Sequence, residues 1–359
     1  MKVLAALVCL TSALAASAQP TELIVFGSCF RHTREAPIWP AIRAQQPDVF
    51  MLIGDNVYAD TDDMDEMRAA YDVLGNVPEY QWLKENSTVM ATWDDHDYGR
   101  NDAGAEYVMK DRAQEVFLDF FEEPANSIRR RTPGIYTSTI TGEPGQRVQF
   151  ILLDTRYFRS DLETGPQNEV RGSGIGGRYV PVEDPALTML GDQQWRWLEG
   201  ELRKPAELRI IASSIQFVAE DHRYEKWQNL PLERERMLRL INRTRADGVV
   251  FISGDRHRAE LSLYDPVRAS TEGRRAADPR YPIYDLTSSA LNQGPGRWSN
   301  ELNRHRVGNQ FFASNFGSIR IDWSADDPVV SLMLHDVEGE VVLRQDVRLS
   351  ELRRDWPRP

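Results

Sequence analysis

The stretch Val49–Asp60, VFMLIGDNVYAD, runs five apolar residues directly into a glycine, an aspartate and a tyrosine. A short continuous apolar run that ends at a glycine turn predicts a buried β-strand. Asp55 and Tyr58 would then lie just past the C-terminal end of that strand. Open α/β sheets place their functional sites at such strand ends, so this stretch predicts both an α/β core and the position of a site.

Three further segments repeat this arrangement. A cysteine follows the apolar run of ELIVFGSCF (22–30), three aspartates and a histidine follow TVMAT in TVMATWDDHDYGRND (88–102), and an Asp-x-His follows GVVFIS in GVVFISGDRHRAE (248–260). The polar residues delivered in this way are Cys29, Asp94, Asp95, His96, Asp97, Asp255 and His257. Four strands would therefore end in ligand-type residues at what we expect to be one edge of a sheet.

Carboxylates crowded at one sheet edge repel one another unless cations neutralise them. The pattern therefore predicts a metal cluster. Thiolate, phenolate and imidazole ligands suit a transition metal, whereas surplus carboxylates and carbonyls suit Ca2+ or Mg2+.

Apolar, β-branched runs alternate with amphipathic segments as far as Asp255. Strands are predicted at 22–28, 48–53, 88–93, 147–153, 208–215 and 248–253, and helices at 35–45, 62–74, 110–121, 191–203 and 232–246. Between 258 and 348 several strands follow without helices of comparable strength, which predicts a second sheet or a closing β layer. With no repeat and no low-complexity linker, one compact catalytic domain over residues 19–359 is expected.

The first eighteen residues have the features of a removable signal peptide. Lys2 precedes an apolar stretch, which ends at the small-residue site Ala16-Ser-Ala18. A secreted or periplasmic protein is expected. Removal of this segment would leave Cys29 as the sole thiol, which could be a buried hydrophobe, a metal ligand or a nucleophile.

Composition sets wider limits. The 359 residues are 41% hydrophobic and 27% charged, as in a globular protein, and the formal net charge is −12. This charge argues against specific nucleic-acid binding. No later apolar run has the length of a membrane span. The oligomeric state is left open.

Six short blocks carry a resemblance to a known family. GSCF, GDNVYAD, TWDDHD, LLDTRYFR, GDRH and the late NFG lie between residues 27 and 317 and resemble the PhoD-like alkaline phosphatases. GDNVYAD is also similar to the Gly-Asp-x-x-Tyr block of purple acid phosphatases. The resemblance implies an α/β fold, the four-layer αββα sandwich of the metallophosphoesterase type, and hydrolysis of small-molecule or polymeric phosphate esters with Fe3+ and Ca2+.

The resemblance also implies roles for individual residues. Asp55 would bridge the metals, Tyr58 and Cys29 would bind iron, and a metal-activated hydroxide would attack phosphorus while His96 protonates the leaving group. The remaining ligands that it implies are Asp95, Asp255 and His257.

Two residues have roles that the sequence leaves open. Arg156 could clamp a phosphate or form a salt bridge to a neighbouring carboxylate. Gln216 lies where the superfamily tends to have a metal-binding histidine, so either the metal set differs or Gln216 is a polar neighbour of the site. Substrate selectivity is expected in the loops 159–190 and 292–310.

Two rival functions explain fewer residues. An exported cysteine hydrolase with Cys29 as nucleophile leaves the aspartates unexplained. An exported, β-rich calcium-binding module without catalysis fails to explain Tyr58 and His96. A GxGxxG spacing at Gly172, Gly174 and Gly177 predicts a flexible loop over the site rather than a dinucleotide cradle, because it neither follows a clear strand nor opens a helix.

Overall fold

The computed structural model describes residues 20–165, 176–266, 278–294 and 301–355. The predicted signal peptide (1–18), together with Gly172 and Gly174 of the predicted loop, lies outside the described residues. Within the described ranges, no helix has both the length and the apolar character needed to cross a bilayer.

Helices and strands alternate through the first two thirds of the chain. The helices are α1 (Trp39–Ala44), α2 (Met64–Gly75), α3 (Pro78–Asn86), α4 (Asp95–Tyr98), α5 (Lys110–Phe120), α6 (Gly191–Leu202) and α7 (Pro231–Thr244). The strands up to the last helix and just beyond it are β1 (Leu23–Gly27), β2 (Val49–Ile53), β3 (Thr88–Thr92), β4 (Thr137–Thr141), β5 (Val148–Leu152), β6 (Leu208–Ala212) and β7 (Val249–Ser253). The C-terminal strands are β8 (Ala259–Tyr264), β9 (Ile283–Ser288), β10 (Arg306–Phe311), β11 (Phe316–Asp322), β12 (Val329–His335) and β13 (Val341–Arg348).

These strands form two mixed sheets. The first has the order β13-β12-β11-β1-β2-β3, with β1, β2 and β3 parallel and the other pairs antiparallel. The second has the order β10-β8-β9-β7-β6-β5-β4, with parallel pairing from β5 through β6 and β7 to β9. Because parallel strands point the same way, the loops that follow β1, β2 and β3 leave the first sheet at one end.

The side chains of β1 show how the layers stack. Ile24 and Phe26 belong to a core that also contains buried residues of the second sheet, whereas Leu23 and Val25 pack among buried residues of α1, α2, α3 and α5. Residues of α6 and α7 join the core on the second sheet. Since neighbouring side chains of a strand point to opposite faces, the order is helices, sheet, sheet, helices. The predicted αββα sandwich is confirmed.

All strands and helices predicted as far as Asp255 are present, with ends shifted by a few positions. The sequence missed α3, α4 and β4. The expectation that the C-terminal strands build a sheet or layer of their own is wrong. Strands β8, β9 and β10 extend the second sheet, and β11, β12 and β13 extend the first, because pairing partners are chosen by long-range contacts that local periodicity does not contain.

We expect opposite stability changes from two glycine-to-alanine substitutions. Gly317 pairs with Phe26 across β11 and β1, and a Cβ at Gly317 would lie 2.2 Å from the Phe26 ring. The buried ring has no room to move, so Gly317→Ala should cost about 1–3 kcal/mol of unfolding free energy. Gly200 in α6 has nothing within 4 Å of such a Cβ. Gly200→Ala should therefore gain about 0.5–1 kcal/mol. Urea unfolding measures the free energy of both variants. Unchanged stability of Gly317→Ala would contradict the close contact between β1 and β11.

Candidate active site

The ends of β1, β2, β3 and β7 meet where the two sheets face each other. The loops after β1 and β2 are joined by backbone hydrogen bonds, from Cys29 N to Gly54 O (3.2 Å) and from Phe30 N to Asp55 O (2.9 Å). The loops of the second sheet meet them, since the amide of Leu291, after β9, donates to Ser28 O (3.1 Å), and His257 Nε2, after β7, lies 3.0 Å from the Tyr58 hydroxyl. The sequence had suggested the edge of one sheet, whereas the site is built by strand ends of both sheets.

One group of side chains combines sulfur, phenol, imidazole and carboxylate. The Tyr58 hydroxyl lies 3.1 Å from Asp55 Oδ2 and 3.0 Å from His257 Nε2. The Cys29 thiol lies 3.4 Å from the same Asp55 oxygen. Ligand atoms of Cys29, Asp55 and His257 all fall within 4.8 Å of one another. The predicted iron ligands Cys29 and Tyr58, the predicted bridging residue Asp55 and the predicted ligand His257 thus lie together.

A second group contains mostly carboxylates. Ligand atoms of Asp94, Asp95 and Asp255 lie within 4.8 Å of one another, as do those of Asp55, Asp95 and His96. Asp94, Asp95 and Asp55 are buried. The structure thus gathers the other predicted ligands as well. It adds Asp94, which the sequence had offered among the strand-end residues without assigning it to the ligand set.

The backbone of the site is held in an uncommon conformation. Positive φ angles occur at Cys29 (60°), Asp55 (49°), Asp255 (65°) and His257 (51°). Residues other than glycine adopt the left-handed region at a cost of order 1–3 kcal/mol each, and such strain concentrates at functional sites. Four of the predicted site residues are therefore positioned by turns that the surrounding fold imposes.

Burial and charge set the protonation of the metal-free site. Burial raises the pKa of Asp55 well above its ordinary value, with nearby Asp95 and Asp97 adding to the rise. Burial likewise raises the pKa of Asp255 to about 6. Burial also disfavours the charged form of Asp95, but His96, Arg156 and the amide of Asp102 together hold the Asp95 pKa below its ordinary value. The site is short of positive charge, which a cation would supply.

The donor set fits metal ions. Asp94 Oδ2 and Asp95 Oδ1 are buried oxygens with no hydrogen-bond partner among the described residues. A buried carboxylate oxygen is costly without a partner, and oxygens of this kind are the ligands of hard cations. Burial, helped by Arg256 and His96, lowers the pKa of His257 to about 3, which keeps the imidazole neutral and ready to bind a metal.

Asp97 ties the loops of the two ligand groups together. Its carboxylate accepts hydrogen bonds from the amides of Asp55 (3.1 Å) and Asp94 (2.8 Å) and from Asn56 Nδ2 (2.7 Å). The Tyr71 hydroxyl donates to it at 3.0 Å. Asp97 was quoted with the TWDDHD block but received no role, because most of these partners are distant from it in the chain.

His96 is oriented by a carboxylate. Its Nδ1 lies 2.6 Å from Asp60 Oδ1, and its ring stacks on Tyr58 with centroids 4.1 Å apart. Burial opposes protonation of the ring, but Asp95, Asp55 and Asp60 raise the His96 pKa to about 11 in the metal-free protein. Asp60 ends the GDNVYAD block, and this was the one signal in the sequence that could have identified it.

Arg156 forms ion pairs rather than lining the cavity. The guanidinium is fully buried, with Nε 2.6 Å from Asp94 Oδ1 and Nη2 2.7 Å from Glu225 Oε2. Glu225 also pairs with Arg159 at 3.0 Å. The salt-bridge alternative therefore describes Arg156, and its assignment as a catalytic phosphate clamp is corrected to a positioning role.

Gln216 is hydrogen-bonded within a buried polar network. Its Nε2 donates to Glu260 (2.7 Å) and Thr287 (2.9 Å), and its Oε1 lies 2.8 Å from His222 Nε2. All of these side chains are buried. The contacts favour a polar structural role over that of a ligand.

A cavity of about 320 Å³ opens onto the site. Aspartate and histidine side chains form one part of its lining, namely Asp95, His96, Asp255 and His257. Arginines and tyrosines form other parts of the lining, including Arg178, Tyr179 and Tyr224. The two candidate ligand groups therefore border a space large enough for a small substrate.

The fold and the site together define a protein of the metallophosphoesterase type. A sequence profile described as PhoD-like phosphatase matches residues 24–322. The chain belongs to the PhoD-like phosphatase family, and the resemblance found in the sequence is confirmed. Alkaline phosphatase D of Bacillus subtilis (strain 168) is 24% identical over 186 residues, which make up 47% of this chain and 30% of that protein. The match thus spans less than a third of that relative.

Solved structures share the fold. The structure of PhoD has a TM-score of 0.64 at 17% identity and covers 92% of this chain and 72% of its own. GAP50, described as the anchor in the inner membrane complex of Plasmodium, has a TM-score of 0.56 at 13% identity, with 92% and 89% covered. A dimetal phosphatase from Danio rerio has a TM-score of 0.52 at 12% identity, with 92% and 100% covered. At these identities the likeness shows the fold alone.

Removal of the buried guanidinium should cost stability. Arg156→Leu leaves Asp94 and Glu225 buried without their shared cation, so we expect a loss of about 3–5 kcal/mol in urea unfolding. Arg112→Leu is the control, because Arg112 forms an exposed pair with Glu115 that water screens, so its loss should leave stability essentially unchanged. An Arg156→Leu protein of unchanged stability and reduced turnover would instead restore the phosphate-clamp role.

Proposed function

We propose that the protein hydrolyses phosphate esters at this site. The observation that carries the proposal is the shared carboxylate: ligand atoms of Asp55 lie within 4.8 Å of those of Cys29 and His257 in one group and of Asp95 in the other. Two adjacent ligand groups with one carboxylate in common are the arrangement that a two-metal phosphoesterase requires. Membership of the PhoD-like phosphatase family supports the same reaction.

The two ligand groups differ in chemistry, and we propose that they bind different metals. Cys29, Tyr58 and His257, with Asp55, would hold Fe3+, since anionic sulfur and oxygen ligands favour the higher charge. The group rich in carboxylates would hold Ca2+, which prefers oxygen. Bound metals would supply Lewis-acid activation of water and of the phosphoryl oxygens.

We assign His96 the role of general acid. Because Asp60 engages Nδ1, Nε2 is the ring nitrogen that remains to meet the leaving oxygen of a substrate in the cavity. The raised pKa of His96 keeps the ring protonated at neutral pH in the metal-free protein. Bound cations would offset the carboxylates and lower this pKa toward the range in which a proton is readily given up.

The rival functions have less support. Burial, reinforced by Asp55, raises the pKa of the Cys29 thiol, and its side chain is fully buried. A nucleophilic cysteine needs a lowered pKa and access to substrate, so both properties oppose the cysteine hydrolase. A calcium-binding module would not need the stacked Tyr58 and His96 rings beside the carboxylates.

We also propose that the protein is exported, and only the predicted signal peptide supports this. The intact mass of secreted protein would show whether that segment is removed.

His96→Ala should keep its metals and lose turnover. Removal of a general acid typically costs about 100- to 10,000-fold in rate. The assay is release of p-nitrophenol from mono- and bis(p-nitrophenyl) phosphate. Asp60→Asn should give a smaller loss, because the imidazole remains while its orienting charge is gone. Metal analysis runs in parallel, and loss of metal from His96→Ala would make His96 a ligand instead.

Cys29→Ser should lose most of the bound iron and any charge-transfer colour while the protein still folds. Serine nearly preserves the volume, but a hydroxyl is a poorer ligand than a thiolate. Ser28→Ala is the matched control, because it removes a buried hydroxyl that lies 3.6 Å from the Cys29 sulfur but is not itself a predicted ligand. Full iron occupancy in Cys29→Ser would remove Cys29 from the ligand set. If instead the wild-type protein contains no metal and is inactivated by thiol alkylation, the cysteine hydrolase would be favoured.

A further inference from the structure

One wall of the cavity is built by two short segments that pair side by side. The amide of Tyr179 donates to Arg223 O (2.7 Å), and the amide of Arg223 donates to Gly176 O (2.7 Å). This pairing places Arg178, Tyr179, Arg223 and Tyr224 in the cavity lining. Arg178 and Tyr179 belong to the loop 159–190, in which the sequence predicts substrate selectivity.

The guanidinium of Arg178 is held in place and yet half exposed. Its Nη2 donates to Asp102 Oδ2 (2.7 Å) and Tyr179 Oη (2.8 Å), and the group lies 5.0 Å from the centre of the Tyr179 ring. The side chain is 54% exposed. Its Nε and Nη1 donate to none of the described residues, so these N–H groups are left to donate charge-assisted hydrogen bonds to a ligand.

Arg178 differs from two other cavity arginines in its exposure. Arg256 and Arg258 are buried and both pair with Glu301, and Arg256 also stacks 3.6 Å from the centre of the Tyr224 ring. Arg178 pairs with Asp102 but keeps about half of its side chain exposed. Of these three arginines, Arg178 is therefore the one that a solvated ligand group can reach.

The position of Arg178 relative to the candidate ligands indicates which part of a substrate it meets. The amide of Asp102 donates to Asp95 Oδ2 at 2.7 Å, and the Asp102 carboxylate in turn accepts from Arg178. Asp102 thus lies between the Arg178 guanidinium and Asp95, one of the carboxylates whose bound metal would hold the reacting phosphate. A group on the esterified alcohol, next to that phosphate, would lie nearer to Arg178.

We propose that Arg178 recognises a second anionic group, a phosphate or carboxylate on the alcohol next to the scissile phosphate. This inference rests on the proposed function and names its substrate class: phosphate esters with an additional negative charge close to the reacting phosphorus. The exposed N–H groups of Nε and Nη1 can donate charge-assisted hydrogen bonds to the oxygens of either anion. A quaternary ammonium substituent at the same place would be repelled.

The test compares p-nitrophenyl phosphodiesters that differ only in the second ester group. Propyl, 2-carboxyethyl and 2-(phosphonooxy)ethyl groups give a neutral arm, a carboxylate arm and a phosphate arm of similar length. Wild-type protein should show a kcat/KM about tenfold higher for at least one anionic arm than for the propyl ester, as one charge-assisted contact provides. Comparison of kcat/KM between the carboxylate ester and the phosphate ester shows which of the two anions is recognised.

In Arg178→Gln the ratio of anionic to neutral kcat/KM should fall about tenfold, chiefly through KM, and Arg178→Lys should restore part of it. Arg112→Gln, which removes an exposed arginine outside the cavity lining, should leave the ratio unchanged. Hydrolysis of all three esters without preference, or a preference that survives in Arg178→Gln, would overturn this inference alone. If the metal-loaded wild type hydrolyses p-nitrophenyl phosphate but none of the three diesters, this inference alone fails. If it hydrolyses neither p-nitrophenyl phosphate nor any diester, the proposed function fails and this inference with it.

Discussion

Electrostatic repulsion among buried carboxylates is the constraint on which the rest of the site depends. Asp55, Asp94 and Asp95 are nearly inaccessible to water, and the fold crowds them against Asp255. Isolated buried charges of one sign are too costly to persist. The protein offsets part of this cost itself, since Arg156 lies against Asp94 and places positive charge beside Asp95. Bound cations would have to offset the remainder.

The same crowding accounts for the scaffold around the site. The Asp55 loop could turn away from its neighbours, yet Asp97 binds the amides of Asp55 and Asp94 and so holds the loops after β2 and β3 together. Positive φ angles at Cys29, Asp55 and Asp255 show that these turns are not relaxed. Hydrogen bonds from rigid elements therefore maintain an arrangement that the ligands alone would not adopt, which is how strain persists at functional sites.

The sequence predicted those parts of the site that are encoded locally. Cys29, Asp55, Tyr58 and His257 each follow a strand directly, so strand periodicity and a short motif were enough to group them. Glu225 could not be assigned in this way. Glu225 acts through Arg156 and Arg159, which belong to a much earlier part of the chain, and only the packed fold decides which carboxylate a buried arginine meets.

The fold followed the same rule. Helix and strand periods located most elements as far as Asp255 to within a few positions, because each buried face leaves its own local pattern. They missed α3, α4 and β4. The division of the C-terminal strands between two sheets was not predictable from those patterns. β11, near the C-terminal end of the chain, pairs with β1 near its beginning, and alternation along β11 is the same whichever sheet receives it.

The lone thiol shows why fold and function need separate support. GAP50 shares the fold and is described as an anchor, so the sandwich by itself does not establish catalysis. In this chain, burial raises the pKa of Cys29, which would disable a nucleophile. A metal ligand needs neither a low pKa nor access to water, because a bound cation can itself deprotonate a buried thiol. The Cys29 sulfur lies 3.4 Å from the carboxylate oxygen that also accepts the Tyr58 hydroxyl. The burial that disqualifies Cys29 as a nucleophile therefore favours it as a metal ligand.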